Sequence, residues 1–413
     1  MDLRSNKVNK KIYIMFLVKV LLKLFVYILP AVSNFVLGGM FFITATRFSQ
    51  AGVNSFIVGG ALAAWALVYS FVSFFISKVV KESNAAKLVE IAGILFFIGA
   101  IGFMIFDGLY TQFLWIFVTS IASGIYCAPF QVFMKYLEPD KNEGSVKSAA
   151  FYTASWSCGL ATGPLVFGLF SPAVCFGLNA AVGIFLTIGI FIVAKIKEIQ
   201  PQFFDNKSSN VVEEVELNAI DYSKYPDLAK VGWIACGLGT FTATIVRAME
   251  PFRAEYLKIG KLESAIALAL VSYVLGTVGL SFFKSKTWMY KPVPIFVAGV
   301  VGIAGLCIFA FGTTSWAFYI AAILYGCYSA VFYFLFVFYS IVHPVNAARN
   351  ASVNEVVVGL SGTLGPAFGG LCALGTGTVS FGIAAALVVV ATIVHIISLV
   401  KIKGKIAQLE TQN

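Results

Sequence analysis

The sequence predicts an all-α polytopic membrane protein, with twelve transmembrane helices in two pseudo-symmetric six-helix bundles. Three observations predict it. Of the 413 residues, 59% are hydrophobic and only 12% are charged, whereas a soluble domain carries about a quarter charged residues. The apolar residues fall into separate runs, each of the roughly 20 residues that cross a bilayer. Gly163-Pro164 followed by Gly168 recurs as Gly365-Pro366 followed by Gly370, at an offset of 202 residues.

The runs centre near Val32, Ala64, Gly99, Gly124, Ser157, Ile184, Gly239, Tyr273, Gly302, Gly326, Gly362 and Val388. Lys19 and Lys23 interrupt the start of the first. Its apolar span is therefore 24–45, with both lysines reaching back to the interface. No small-residue cleavage site follows, so this run reads as a retained helix rather than a signal peptide. Alternate connections differ sharply in charge. The set that includes both termini carries 22 Lys and Arg, and the other set carries four: Arg47, Arg253, Lys258 and Lys261. That asymmetry places both termini in the cytoplasm. The net charge of +10 is accounted for by topology and needs no nucleic acid. The longest connection, 195–229, contains Pro201, Pro226 and the acidic run Glu213-Glu214-Val215-Glu216. It reads as a cytoplasmic central loop with room for a short surface helix at 211–219. The expected domains are 1–195, the loop 196–228, and 229–413. The seven cysteines are scattered one per segment, without metal or redox spacing, and read as small core residues.

The second half echoes the first beyond the glycines. Ser73-Phe74-Phe75-Ile76-Ser77-Lys78 has its counterpart in Ser281-Phe282-Phe283-Lys284-Ser285-Lys286, and Gly124-Ile125-Tyr126 in Gly326-Cys327-Tyr328. Matches in the same order indicate two homologous halves. A Gly-Pro step breaks a soluble helix but is tolerated in a membrane helix whose neighbours satisfy the freed carbonyl. Glycines every third or fourth residue let another helix come close. Gly163, Pro164, Gly365 and Pro366 are therefore gating candidates; the plainer reading is a static packing seam.

Six plus six helices, a cytoplasmic central loop and the paired Gly-Pro stretches resemble the major facilitator superfamily over essentially the whole chain. The stretches look like that family's fifth-helix motif and its counterpart in helix eleven. Asn350-Ala351-Ser352-Val353-Asn354-Glu355 looks like the entry to helix eleven in bacterial members, and Arg247-Ala248-Met249-Glu250-Pro251-Phe252-Arg253 like the end of helix seven. One departure is plain. The family's Gly-x-x-x-Asp-Arg/Lys-x-Gly-Arg-Arg/Lys pattern between helices two and three is replaced by 77–87, which keeps Lys78, Lys81 and Lys87 but lacks the aspartate and the glycines. Lys78, Lys81 and Glu82 are the residues left to form a clamp there. The resemblance implies alternating access about a site near the bilayer midplane, lined by helices one, four, seven and ten.

Ionisable groups inside spans are functional candidates. Arg247 and Glu250 stand three apart on one helix face, as a substrate or proton site or as a fixed ion pair. Glu250 is the first candidate proton carrier and Glu355, beside Asn354, the second; the alternative for Glu355 is a helix-start carboxylate favoured by the dipole. Arg47, Asp107, Glu90, Arg253 and Lys258 read as interfacial, His395 as structural and His343 as a cap. Amides, phenols and an indole are better placed for a midplane site: Asn34, Tyr126, Gln131, Tyr152, Trp156, Tyr328 and Tyr333. Such groups must find partners in hydrocarbon, either one another or a solute.

The expected function is secondary active transport of a small organic solute, coupled to a proton or another ion, by a monomer in a bacterial inner membrane. No motif for a cofactor, a metal or a phosphate-binding loop appears, which argues against an enzyme and against ATP-driven transport. The alternatives are a non-transporting sensor or assembly factor on a transporter fold, and a lipid flippase.

Overall fold

The computed structural model describes residues 3–106, 108–137, 145–201, 225–282, 287–341, 347–373 and 375–410. Twelve helices follow one another: α1 (Leu3–Gln50), α2 (Ser55–Val79), α3 (Glu82–Ile105), α4 (Leu109–Leu137), α5 (Ser145–Leu169), α6 (Pro172–Ile199), α7 (Ala229–Tyr256), α8 (Lys261–Ser281), α9 (Pro292–Phe311), α10 (Ser315–Ile341), α11 (Ala347–Cys372) and α12 (Thr378–Glu410). Each centre expected from the sequence falls inside its helix. Helix α1 spans 48 residues, about 70 Å at 1.5 Å per residue, and so continues well beyond the apolar run at 24–45. The proposed helix at 211–219 lies outside the described residues.

Among the described residues, ten helices are long and apolar enough to cross a membrane. Helix α11 adds a shorter apolar stretch, Val356–Cys372, among its described residues. Both α5 and α11 set glycines against neighbouring helices, which lets those helices come close, while α11 leaves Leu360, Leu364 and Leu371 exposed.

The packing is two-fold. Helix α1 lies on α5 and α6, α3 on α4 and α6, and α2 on α4; in the second half α7 lies on α11 and α12, α9 on α10 and α12, and α8 on α10. The register agrees at the atomic level. A Cβ on Gly124 would stand 2.7 Å from Val72 Cβ and 3.1 Å from the Tyr69 carbonyl, and one on Gly326 would stand 2.9 Å from both Val274 Cβ and the Val271 carbonyl. All three pairs are offset by 202.

The halves meet along α5–α8, α2–α11 and α1–α7. Ser55, at the start of α2, donates to the carbonyl of Gly370 near the end of α11 (2.8 Å), so these two helices are antiparallel. The short connections reverse each helix in turn, so both chain termini lie at one end of the bundle. The opposite end, where α2 begins and α11 stops, is called here the far end.

The α2–α3 turn is closed by its own residues. Asn84 holds it: its Oδ1 accepts from the Lys81 backbone N–H (2.7 Å) and its Nδ2 donates to the Val79 carbonyl (3.0 Å). Lys78 lies over the Phe74 ring, 4.0 Å from its centre. The cysteines also divide: Cys175 and Cys236 are buried, while Cys158 and Cys307 are exposed on helix faces, so they are not uniformly core residues.

Candidate functional site

Helices α7 and α10 supply most of the polar surface near the middle of the molecule. Helix α7 is rich in Thr and Gly, whose small side chains let the phenols of α10 reach it. Tyr325 Oη and Thr242 Oγ1 share a 2.9 Å hydrogen bond, and Thr242 spends its own proton on the Gly239 carbonyl (2.9 Å). Tyr333 Oη donates to Thr240 Oγ1 at 3.4 Å. A pocket of about 10 Å³, lined by residues that include Cys236, Thr240, Tyr328, Ser329 and Tyr333, sits between the two helices and is barely wide enough for one water.

Tyr333 also crosses to the other half. Its ring meets Trp156 of α5 edge-on, with centroids 5.9 Å apart and planes at 67°, a favoured aromatic geometry. Both are half-buried. Arg247 is likewise half-buried and lies within electrostatic reach of the Tyr325 and Tyr333 phenols. The structure thus brings Trp156 and Tyr333 together across the two halves, with Arg247 of α7 within electrostatic reach of Tyr333.

The other uncharged candidates go elsewhere. Asn34 Nδ2 donates within its own helix to the Pro30 carbonyl (2.9 Å). Tyr152 is half-buried beside Tyr126, and Gln131 is exposed on α4. Tyr126 is buried, stacked on Phe130 at 5.1 Å and edge-on to Phe96 of α3. Tyr328 repeats this place, buried beside Phe332 at 4.5 Å and pressed against Gly302 of α9. These two tyrosines are a symmetry-related pair in the interior of each half, which explains why Gly124-Ile125-Tyr126 and Gly326-Cys327-Tyr328 match.

Arg247 and Glu250 do not form an ion pair. Among the described residues the one salt bridge is Lys195–Glu198. Glu250 is fully buried and accepts a 2.7 Å hydrogen bond from Ser264 Oγ of α8; its other oxygen has no partner. Arg253, in the last turn of α7, is buried in protein rather than open to water: it is 4% exposed and donates to the Thr376 carbonyl (3.0 Å) and to Thr378 Oγ1 (2.8 Å). His395 is buried and paired through Nε2 with Tyr339 Oη (3.0 Å), which also bonds the Met289 carbonyl; this is the structural role expected of it. Asn354 and Glu355 lie on α11, with side chains outside the described residues, as do Asp107 and His343.

The Gly-Pro stretches split into two roles. A Cβ on Gly163 would overlap Phe35 and Gly39 of α1, and one on Gly365 would stand 2.5 Å from the Phe241 carbonyl of α7. Both contacts lie within one half. Five residues on, the partner changes: Gly168 faces Ala265 of α8 at 2.6 Å, and Gly370 faces Phe56 of α2 at 3.1 Å. Pro366 joins this second set, its carbonyl pressed against Gly59 of α2, whereas Pro164 faces Gly38 of α1. The sequence offered no signal for Ser264, Thr240, Thr242 and Tyr325, since threonines and serines are scattered through every span.

The family model for the Major Facilitator Superfamily matches residues 24–354. No curated protein matches the chain. Among solved structures, the nucleoside transporter NupG is similar at TM-score 0.65 and 16% identity, over 92% of this chain and 99% of that one. A bacterial homologue of the human lysosomal transporter Spinster, in an inward-facing and unoccupied conformation, is similar at TM-score 0.64 and 15% identity, over 93% of this chain and 97% of that one.

Proposed function

The chain belongs to the Major Facilitator Superfamily, and from that premise we propose that it is a secondary active transporter moving a small organic solute by alternating access. One observation carries this reading. Trp156 and Tyr333 face each other across the two halves beside Arg247, while the far end is closed by seams of small residues along α2–α11 and α5–α8. Polar and aromatic groups between two closely related bundles are what a solute site at a repeat interface requires. A far end closed in this way corresponds to an inward-facing or occluded state.

On this reading the moving bodies are 1–195 and 229–413, joined by the loop 196–228. Termini and loop are cytoplasmic, the membrane is a bacterial inner membrane, and the monomer is the working unit. Trp156, Tyr333 and Arg247 contact the solute; Asn34, Tyr152 and Gln131 border the path. Glu250 is the coupling residue, because a buried carboxyl can carry a proton where a charge would be expensive. Glu355, with Asn354, guards the cytoplasmic entry of α11.

The test is uptake of labelled sugars, organic acids, amino acids and nucleosides into proteoliposomes, with and without an imposed pH gradient. Saturable uptake of one class, accumulated only with the gradient, is expected. Glu250→Gln should lose accumulation and keep exchange at equal pH; accumulation by that variant with an unchanged pH dependence removes Glu250 from the mechanism. Movement of a labelled phospholipid without solute uptake would favour the flippase.

A further inference from the structure

We propose that the solute is an organic anion, and that Arg247 of α7 takes its carboxylate or phosphate group while Trp156 and Tyr333 hold its body. The proposal rests on the transporter reading above and names the solute class for that same site.

The argument begins with cost. A guanidinium within a membrane span is expensive unless it is paired or lines a polar space. Arg247 stands nine residues before the end of α7 at Tyr256, too deep to be a helix-end residue. Helix α7 is packed on several sides, by α11, α12, α10 and α1, so lipid headgroups are not at hand. Among the described residues Arg247 makes no hydrogen bond or ion pair. The carboxylate that should neutralise it is Glu250, one turn along the same face, yet Glu250 is turned to Ser264 of α8. Arg47 and Lys261 lie at the far end. Among the described residues, the charged side chain within electrostatic reach of Tyr333 is therefore a cation.

The chemistry of Arg247 narrows the class. Its planar fork suits a carboxylate or phosphate bidentately, and a guanidinium is more weakly hydrated than an ammonium, so it can act where water is scarce. Its neighbours are neutral. The Tyr333 phenol, held only by a long bond to Thr240, can turn its proton to an oxygen of the solute, whereas the buried Tyr325 is committed to Thr242. The rings of Trp156 and Tyr333 offer apolar area with well-defined geometry. A cationic solute would meet repulsion from Arg247, with Glu250 turned to Ser264 rather than to it. A neutral solute would leave the guanidinium unpaired when the site closes.

The experiment compares matched pairs of probes that differ in charge: benzoate with benzamide, glucose 6-phosphate with glucose, and uridine monophosphate with uridine. Thermal shift of the purified protein and inhibition of uptake in proteoliposomes are read for the wild type, Arg247→Lys and Arg247→Gln. At least one anion should bind tenfold or more tightly than its neutral partner, and the carboxylate and phosphate arms identify which oxyanion is used. Arg247→Gln should erase that preference while keeping the melting temperature without ligand, and Arg247→Lys should retain part of it. Preferential binding of the neutral members, or an anion preference unchanged in Arg247→Gln, overturns the proposal while leaving transport standing. Failure of the wild type to take up any solute, charged or neutral, overturns the transporter reading and this one with it.

Discussion

A cation close to a membrane interface ordinarily buries its stem and keeps its head in water. Arg253 does the opposite. Its guanidinium enters the far end of the second half and ties α7 to the start of α12 through Thr376 and Thr378. Nothing local in the sequence reveals this: the neighbouring Glu255 and Lys258 look interfacial, and the acceptors lie 123 and 125 residues away. Arg253→Ala should lower stability by about 2–4 kcal/mol, since hydrogen bonds to a charged group contribute roughly 1.5–3 kcal/mol each and water at the far end replaces part of them. Arg253→Lys should recover some of the loss. Melting in detergent measures both, and an unchanged midpoint for the alanine variant would show that these contacts do not hold the far end. Arg247 was legible in sequence as a costly charge, but its separation from Glu250 was not. Spacing puts both on one face; only the position of Ser264 on α8 decides which way the carboxyl turns.

At the scale of helices, α5 and α11 each have one face against a helix of their own half and one against a helix of the other half. Gly163 and Gly365 serve the first, against α1 and α7; Gly168 and Gly370 serve the second, against α8 and α2. The motif was visible in the chain, and so was its duplication. Which glycine faces which helix was not, because that depends on the angle at which helices from distant parts of the sequence cross. The two faces predict different failures. Gly163→Leu and Gly365→Leu should fold poorly, with yield and melting temperature reduced, because neighbouring backbone blocks the new side chain within one half. Gly168→Leu and Gly370→Leu should fold and hold the far end apart. An Ala265→Cys reporter, buried in the wild type, should then react with a water-soluble maleimide in the Gly370→Leu background. Equal labelling with and without Gly370→Leu would mean that the α2–α11 seam does not control that end.

The whole molecule was the most legible level. Hydropathy marked twelve helices, charge alternation agrees with both termini lying at one end, and the offset of 202 residues is the offset at which the two halves superimpose their contacts. The missing part was the relation between halves, which no periodicity within a helix encodes. It can be tested by locking it. A Cβ on Gly362 would stand 3.5 Å from Ala66 Cβ, within the range of a disulfide. In a background without the seven native cysteines, the Ala66→Cys, Gly362→Cys pair should cross-link on oxidation, stop transport, and release it on reduction. Transport at the uncrosslinked rate by the oxidised protein would exclude separation of α2 from α11 as a step in the cycle. The composition of that seam also has an energetic consequence. Glycine, alanine and serine bury little area, so parting α2 from α11 breaks many weak dispersion contacts and exposes few large side chains. Serine and backbone carbonyls at the parted surfaces are readily hydrated. On the proposed alternating-access cycle, such a seam favours a small gap between closed and open forms, and a ligand that binds one form about 10⁴-fold more tightly can reverse a population of roughly 99:1. A seam of leucines would have required far more than one small solute can supply.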